Sequence, residues 1–316
     1  MPEKPLITVV GLGGYSIFMS TATFPEKGET VKARNCFTEP GGKGYNQAVA
    51  CARLGARTAF IGSFGNDLYG KECIDFLKKE SIDTSHVKIT GEKATATGVI
   101  LTDMYGDNRV TVYPGAAELL RPEDILEAEE IISRSDVLLI QLEVPFDTVK
   151  CAIETANKHN VRVILNPAPA FLPEYDILKK VYLLTPNEFE ATLISGIKDG
   201  NSISPGRMAE KLKASGAKNV IITLGEKGAY LSCPGYDTQI EPFKVAKVVD
   251  TTGAGDTFNA ALAVYIAKGF DMIKAAQFAT TAAALSVAKK GVMNSIPYHD
   301  DVVKARDQGD GSSGSL

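Results

Sequence analysis

The sequence of 316 residues has no tryptophan, only three histidines and only five cysteines. The cysteines form no Cys-x-x-Cys pair, and His86, His159 and His299 are far apart in the chain. These patterns lack the ligand spacing of a zinc site and argue against a Ser-His-Asp centre. An odd number of cysteines without pairing motifs indicates reduced thiols, and no signal peptide is visible. We therefore expect a cytoplasmic protein.

Long apolar runs and a strong charge of either sign are also missing. No stretch approaches the roughly 20 apolar residues that span a bilayer, so no membrane partner is expected. The formal net charge is −4 and the basic residues are scattered, which argues against a nucleic-acid partner. With 44% hydrophobic and 23% charged residues, the composition is that of an ordinary globular protein.

Short apolar runs alternate with helical patterns along most of the chain. The runs that predict buried strands are residues 7–10, 137–140, 161–165 and 220–223. The patterns that predict helices include residues 147–158, 187–195 and 207–215. This alternation predicts an α/β fold with a mainly parallel sheet covered by helices on both faces. Two hairpin-type segments, near residues 13–40 and 95–113, interrupt the alternation and predict a small β lid.

Polar residues follow several of the predicted strands. They are Gln141 and Glu143, Asn166, Asn187 and Glu190, Thr223 and Gly225, and the run from Asp250 to Asp256. Ligands of open α/β sheets bind outside the carboxyl ends of the strands, so the set predicts one binding rim. Each residue taken singly is also explained as a loop residue or a helix cap.

Residues 248–259 form the stretch that is richest in chemistry. Val248 and Val249 are predicted to end a strand, Gly253 and Gly255 to form a tight turn, and a helical pattern follows. Such a turn presents backbone N–H groups and a helix dipole to an anion such as phosphate. Asp256 lies inside the turn, where a carboxylate can take a proton from an attacking hydroxyl. The alternative is that Asp256 only caps the helix.

Two other glycine-rich segments stand out. Residues 41–44 (Gly-Gly-Lys-Gly) open a small-residue helix and place Lys43 near Asn46, an arrangement that suits the close approach of a ligand or simply close helix packing. Gly11-Leu12-Gly13 is a near miss to a dinucleotide-binding fingerprint, but no full helix pattern follows it. A dinucleotide-dependent oxidoreductase therefore remains a weaker alternative.

Taken in order, these motifs resemble the ribokinase-like (PfkB) sugar kinases over roughly residues 5–300. The residues that carry the resemblance are Gly41-Gly42-Lys43-Gly44 with Asn46, Asn187-Glu188-Phe189-Glu190, Thr223-Leu224-Gly225 and residues 250–256 (Asp-Thr-Thr-Gly-Ala-Gly-Asp). Residues 141–143 (Gln-Leu-Glu) and 166–170 (Asn-Pro-Ala-Pro-Ala) make it most similar to the ribokinase and deoxyribokinase branch.

The resemblance implies a doubly wound, mainly parallel sheet flanked by helices, with a small β-sheet lid, as one domain over residues 1–305. Residues 306–316 then read as a disordered tail. It also implies transfer of the ATP γ-phosphoryl group to a sugar hydroxymethyl. Related sugar kinases often form homodimers through their lids, so the resemblance implies a homodimer here as well. Phosphoryl transfer depends mainly on positioning and on neutralisation of charge.

Each role that the resemblance implies belongs to a set of residues. Asp256 is the base, and the amides around Gly253, Ala254 and Gly255 form the anion hole. The nucleotide residues are Asn187, Thr223, Gly225 and Thr280. The sugar residues are Gly14, Ser16, Gly42, Lys43, Asn46 and Glu143. Glu190 holds Mg²⁺ through water. The implied monovalent cation site, for K⁺, comprises Asp250, Thr252, Ser286, Lys289, Gly291 and Ser295.

The sequence departs from the family pattern just after the first strand. Ribokinase-like enzymes usually have Asn-x-Asp there, and Gly14 and Ser16 stand at those positions. Losing a hydrogen bond to a charged acceptor costs about 1.5–3 kcal/mol, or roughly ten- to a hundredfold in affinity. We therefore predict a kinase for a sugar other than standard ribose, such as a deoxy or modified sugar, or for a nucleoside. A degraded sugar- or nucleotide-binding regulator is the alternative.

Overall fold

The computed structural model describes residues 3–197 and 203–311. Its strands are β1 (Leu6–Val10), β2 (Gly14–Ser20), β3 (Asn35–Gly41), β4 (Arg57–Gly65), β5 (Val87–Thr90), β6 (Ala96–Thr102), β7 (Asn108–Tyr113), β8 (Val137–Ile140), β9 (Arg162–Leu165), β10 (Leu183–Leu184), β11 (Val220–Thr223), β12 (Ala229–Cys233) and β13 (Tyr236–Ile240). Its helices are α1 (Lys43–Arg53), α2 (Leu68–Lys79), α3 (Pro122–Glu127), α4 (Glu129–Ser133), α5 (Phe146–Lys158), α6 (Tyr175–Leu178), α7 (Glu188–Ser195), α8 (Pro205–Ala214), α9 (Ala254–Ala267), α10 (Met272–Ser286) and α11 (His299–Gly311).

The large sheet has the order β13-β12-β11-β10-β9-β8-β1-β4-β5. Its strands pair in parallel from β5 to β11, and β12 and β13 are antiparallel at one edge. Strands such as β1 and β8 are buried along their whole length, as expected for a sheet covered on both faces. Two apolar clusters lie on opposite faces, one containing α1, α9 and α10 and the other α5 and α8. The predicted α/β class is confirmed.

A second sheet of four strands, which we call the lid, has the order β3-β2-β6-β7. Strand β2 pairs in parallel with β6, and β6 pairs with β7 in the predicted hairpin. Strand β3 ends at Gly41 and leads directly into α1, so the lid is joined to the glycine-rich segment of residues 41–44. The lid thereby forms a wall over the carboxyl ends of the large sheet.

Two predictions from the sequence are wrong. Val248 and Val249 are not in a strand, and they are 58% and 47% exposed. Instead of pairing with a strand, the backbone N–H groups of Val249 and Asp250 donate to the Val287 carbonyl. The β-branched side chains of the two valines face an open cavity instead of a sheet. The tail predicted from residue 306 begins inside α11, which runs to Gly311.

Helix α11 continues through this polar stretch because its first turns are well anchored. Asp300 and Asp301 lie in its first turn, where their negative charges interact favourably with the positive end of the helix dipole. Val302 is fully buried in the core. Residues 312–316 of the predicted tail lie outside the described residues. Within residues 3–197 and 203–311, no helix has the length and apolar character that crossing a membrane requires.

Candidate active site

The amino terminus of α9 lies between two cavities. The first, which we call the lid cavity, has a volume of about 360 Å³ and is lined by residues of the lid together with Lys43, Glu143 and Asp256. The second, the loop cavity, has a volume of about 640 Å³ and lies against the loop of residues 242–248. Thr223 and Gly255 line both cavities. Two ligands, one in each cavity, would therefore meet at the start of α9.

Helix α9 begins at a glycine that no other residue can easily replace. Gly253 has φ +77°, and a Cβ placed on it would lie 2.7 Å from Val292 Cγ1. The Ala254 N–H donates to the Thr251 carbonyl at 3.3 Å. The next first-turn amides, those of Gly255 and Asp256, have no acceptor within the helix because of their position in it. These amides and the helix dipole favour an anion at this point.

Asp256 is buried at this helix start and is held by two side-chain amides. Asn46 Nδ2 donates to Asp256 Oδ2 at 2.8 Å, and Gln47 Nε2 donates to Asp256 Oδ1 at 3.0 Å. Burial raises the pKa of the Asp256 carboxyl to about 6, although Lys43, Asn46 and Gln47 act in the opposite direction. A carboxylate of this kind is ionised at neutral pH and yet basic enough to take a proton. Both carboxylate oxygens accept from side chains of α1, and within residues 3–197 and 203–311 no backbone N–H of α9 donates to them, so the interpretation that Asp256 only caps the helix is wrong.

Lys43 and Glu143 form an ion pair at the edge of the lid cavity. Lys43 Nζ lies 2.7 Å from Glu143 Oε1, and the Lys43 N–H donates to Glu143 Oε2 at 3.1 Å. Burial acts to lower the pKa of the Lys43 ammonium, but the carboxylates of Glu143 and Asp256 outweigh it and raise the pKa. Lys43 is therefore a permanent positive charge beside Asp256.

Asn187 and Glu190 form a reciprocal capping box at the start of α7. Asn187 Oδ1 accepts from the Glu190 N–H at 2.8 Å, and Glu190 Oε2 accepts from the Asn187 N–H at 2.9 Å. Both residues also line the lid cavity beside Thr223, which bridges to Asn187 across the strand ends. Burial raises the pKa of the Glu190 carboxyl, and the Asn187 N–H and Lys43 partly offset this. Capping and cavity lining therefore coexist in these residues.

The loop cavity is predominantly apolar. Gly225, Phe243, Val248 and Thr280 line it, and Gly225 has open space around its Cα. Thr280 donates its hydroxyl to the Gln277 carbonyl within α10. Apolar walls with a few polar groups are typical of small-molecule sites.

Gly14 and Ser16 line the lid cavity from strand β2. A Cβ on Gly14 would lie 2.3 Å from the Ala96 carbonyl oxygen, so this position can offer a ligand only its backbone. Gly42, also at the cavity, has φ +100° and would place a Cβ 2.5 Å from Leu12 Cδ2. Further along the lid the cavity wall is apolar, with Phe18, Ile100 and Val112.

Of the six residues of the implied cation site, three are joined by hydrogen bonds. Asp250 Oδ1 accepts from the Thr252 N–H at 3.0 Å, and Asp250 Oδ2 accepts from the Gly291 N–H at 3.1 Å. The hydroxyls of Ser286 and Ser295 donate to carbonyls of their own turns, those of Ala283 and Val292. Lys289 is exposed. The structure thus brings Asp250, Thr252 and Gly291 together.

Comparisons with known proteins agree with this architecture. Residues 6–298 match the family described as pfkB family carbohydrate kinase. The chain is 36% identical to the ribokinase of Haemophilus influenzae over 95% of this chain and 98% of that protein, and 34% identical to the deoxyribokinase of Salmonella typhi over 92% and 95%.

Solved structures give the same result. The ribokinase of Thermotoga maritima superposes with a TM-score of 0.87 at 37% identity, covering 96% of this chain and 99% of that one. The ribokinase of Arabidopsis thaliana, determined with ribose and ATP, has a TM-score of 0.86 at 30% identity, covering 96% and 98%. The chain belongs to the pfkB family of carbohydrate kinases. This membership makes it a phosphotransferase and removes the oxidoreductase alternative.

Several residues of this pfkB kinase site were missed from the sequence. Gln47 bonds Asp256, and Asn259 Nδ2 donates to the Gly255 carbonyl at 2.9 Å. Glu39 is buried on β3 and accepts from the N–H groups of Val292 and Met293, next to the Val292 side chain that packs on Gly253. The signal for Glu39 in the sequence was its position, an acidic residue two places before the glycine-rich segment of residues 41–44.

Proposed function

We propose that this protein transfers the γ-phosphoryl group of ATP to a hydroxymethyl group of a sugar or sugar-like acceptor. The observation that carries the proposal is the position of Asp256 and the α9 amino terminus between two cavities that share Thr223 and Gly255. The acceptor occupies the lid cavity and ATP the loop cavity. The reacting hydroxyl and the γ-phosphate then meet where a base and open amides are already in place.

In the proposed reaction, Asp256 takes the proton of the attacking hydroxyl. The amides of Gly255 and Asp256, with the α9 dipole, stabilise the charge on the phosphoryl group as it is transferred. Ala254 contributes less than expected because its N–H is directed at Thr251. Lys43 keeps Glu143 in place and places positive charge beside Asp256. Gly225 and Thr280 bind the nucleotide in the loop cavity.

The residues at the start of α7 suit a hydrated divalent cation. Glu190 is a partly buried carboxylate that accepts a hydrogen bond from the Asn187 N–H. Mg²⁺ prefers oxygen ligands and keeps several of its waters. Asn187 and Glu190 would hold the ion through water, as the family resemblance implies. When bound, Mg²⁺ neutralises charge on the phosphates of the nucleotide.

A monovalent cation at the Asp250 loop is a further part of the proposal. Asp250 accepts from the Gly291 N–H and Glu39 accepts from the next amide, that of Val292, so the two carboxylates are held by adjacent residues. A K⁺ ion bound by oxygen atoms of Asp250, Ser286 and Ser295 and by backbone carbonyls of the segments around Thr252, Lys289 and Gly291 would bring positive charge to these two carboxylates. Kinase assays with K⁺, with Na⁺ and with neither ion test it.

The acceptor is proposed to carry fewer hydroxyls than ribose on the face that meets β2. Ser16 offers a single neutral hydroxyl, Gly14 offers none, and Phe18 and Ile100 continue the same wall. A deoxy sugar, a modified sugar or a nucleoside matches this wall better than ribose does, because an unmatched sugar hydroxyl would lose its hydrogen bonds there.

Product-resolved ATP turnover with pentoses, deoxypentoses, hexoses and nucleosides tests the function. We expect at least one deoxy or modified acceptor to be phosphorylated with a kcat/KM above that of ribose. If every acceptor leaves ATP hydrolysis at background, the kinase proposal is wrong and the alternative, a regulator that binds sugar or nucleotide, takes its place.

A further inference from the structure

A chain of buried side-chain amides lies behind Asp256. Gln47 on α1 is fully buried and donates from Nε2 to Asp256 Oδ1. Gln141, which directly follows β8 and is also fully buried, donates from Nε2 to Gln47 Oε1. A carboxylate only accepts, and an amide has one accepting and one donating end. The bond from Gln141 therefore fixes Gln47 with its NH₂ group towards Asp256.

Two glycines make room for this chain. A Cβ on Gly11 would lie 2.1 Å from Gln141 Oε1, and a Cβ on Gly44 would lie 3.0 Å from the same atom. Any larger residue at Gly11 would displace the Gln141 side chain. Gly11, which resembled part of a dinucleotide fingerprint, is thus explained by the space that the Gln141 side chain needs, without a bound nucleotide.

Gln47 and Gln141 do not line either cavity, so they act on catalysis through the residues they bond, first of all Asp256. Asn46 and Asp256 line the lid cavity, whereas neither Gln47 nor Gln141 is among the residues that line either cavity. An acceptor that binds Asn46 can compete for its bond to Asp256 Oδ2. The Gln47 bond to Oδ1 is out of reach of the acceptor and persists.

We propose that Gln47, oriented by Gln141, is the positioning residue of the base. It holds the Asp256 carboxylate in one rotamer with Oδ2 directed at the acceptor. The inference rests on the proposed function, because Asp256 is a base only there. The charged groups that act on Asp256 from the surrounding elements are Lys43, which favours its ionised form, and Glu143, which opposes it. The two glutamines carry no charge, so the bond is made at every pH at which Asp256 is ionised.

The same buried region also holds the anion-hole peptide. Gln47 Nε2 contacts Asn166 Oδ1 at 3.3 Å, and Asn166 Nδ2 donates to the Thr185 carbonyl. The Thr185 hydroxyl donates to Asn259 Oδ1, and Asn259 Nδ2 donates to the Gly255 carbonyl. This carbonyl belongs to the peptide whose N–H is that of Asp256. Base and anion hole are thereby fixed relative to each other by one set of neutral side chains.

The test uses Gln47→Met, Gln141→Met and the double variant, since methionine is similar in length but donates no hydrogen bond. For Gln47→Met we expect kcat to fall about tenfold, with KM for ATP and acceptor nearly unchanged. The acid limb of the pH profile should move up by about one pH unit, because a donor to the ionised carboxylate is lost. Gln239→Met, at an exposed position on β13, is the matched control and should leave both quantities unchanged.

The double variant decides whether Gln141 acts through Gln47. We expect its kcat and acid limb to equal those of Gln47→Met, with Gln141→Met alone giving a smaller change in the same direction. Losses that multiply, or a normal acid limb in both single variants, would overturn the inference. If Gln47→Met does not fold, Gln47→Asn, which is too short to reach Asp256, replaces it with the same expected shift. An Asp256→Asn variant with normal turnover would instead remove the proposed function itself.

Discussion

Asp256 shows how one residue obtains the properties of a general base from its surroundings. It is 9% exposed, and its carboxylate is bonded by Asn46 and Gln47 and lies beside the positive charge of Lys43. Burial favours the protonated form, and the three partners favour the ionised form. The balance leaves the pKa at about 6, close to the pH at which a kinase works.

A pH profile follows from this balance. Because the base must be ionised, we expect kcat/KM to be constant above neutral pH, to be half-maximal near pH 6 and to fall about tenfold for each further pH unit. The measurement is kcat/KM for the preferred acceptor at saturating ATP. A limb near pH 4, the range of an exposed aspartate, would mean that Asp256 is not desolvated as described.

Ser16 gives a second prediction at this scale. Ser16→Asp introduces a charged acceptor into the lid cavity, and we expect kcat/KM for ribose to rise by about ten- to a hundredfold. The neighbouring Gly14 is left unchanged, since a side chain there would collide with the Ala96 carbonyl. Ser85→Asp, at an exposed position outside the lid and outside the residues that line the lid cavity, is the control. No gain with ribose, in a folded variant, would place the specificity elsewhere in the cavity.

Among the elements, the start of α9 depends most on tertiary contacts. Its turn is held by Asp250, which accepts from the Thr252 and Gly291 N–H groups, and by Val292, which packs on Gly253. Glu39 fixes the Val292 and Met293 amides from the lid side. The turn therefore joins the lid to the anion hole.

This arrangement predicts the behaviour of Gly253→Ala. The left-handed φ and the contact with Val292 should together cost more than about 1–2 kcal/mol in the free energy of unfolding, with a loss of kcat. Adding Val292→Ala removes the contact but not the backbone strain, so we expect a partial recovery. Urea unfolding and turnover of both variants check this. Unchanged stability in Gly253→Ala alone would contradict the described turn.

The sequence predicted the elements better than the contacts between them. Alternating apolar runs were enough for the sheet, because burial on both faces leaves a local pattern, and for most of the rim of polar strand ends. Gln141, which was predicted on that rim, is fully buried and lines neither the lid cavity nor the loop cavity. The strand predicted at Val248 and Val249 was wrong because β-branched residues are typical of strands, whereas here they line an exposed cavity wall. Gln47 was missed because its partner Asp256 is 209 residues away, and Glu39 because Val292 is 253 residues away.

At the scale of the whole molecule, the lid has two faces with different roles. Alternate residues such as Ser16, Phe18 and Ile100 line the lid cavity. The residues between them, including Ile17, Val99 and Leu101, are half-buried on the opposite face, and Tyr113 is 48% exposed there. We propose that this outer face pairs with the lid of a second copy, which would bury its apolar side chains.

Sedimentation velocity tests the homodimer. We expect the wild-type chain to sediment with twice the mass of one chain, and Val99→Lys combined with Leu101→Lys to sediment as a single chain, because two charges would have to be buried in the interface. Leu126→Lys, which changes an exposed apolar residue on α3, should remain a dimer. A wild-type monomer at micromolar concentration would rule out the pairing.

The most direct test of the catalytic account is Asp256→Asn, measured as both ATP affinity and turnover. Asparagine fits the space of aspartate, and Asn46, whose Oδ1 has no hydrogen-bond partner among the described residues, can turn to accept from it. Asp256 does not line the loop cavity, so the Kd for ATP should stay within about threefold of the wild-type value. We predict that kcat falls by about two to four orders of magnitude, the usual contribution of a general base. A near-normal kcat with unchanged ATP affinity would contradict the account.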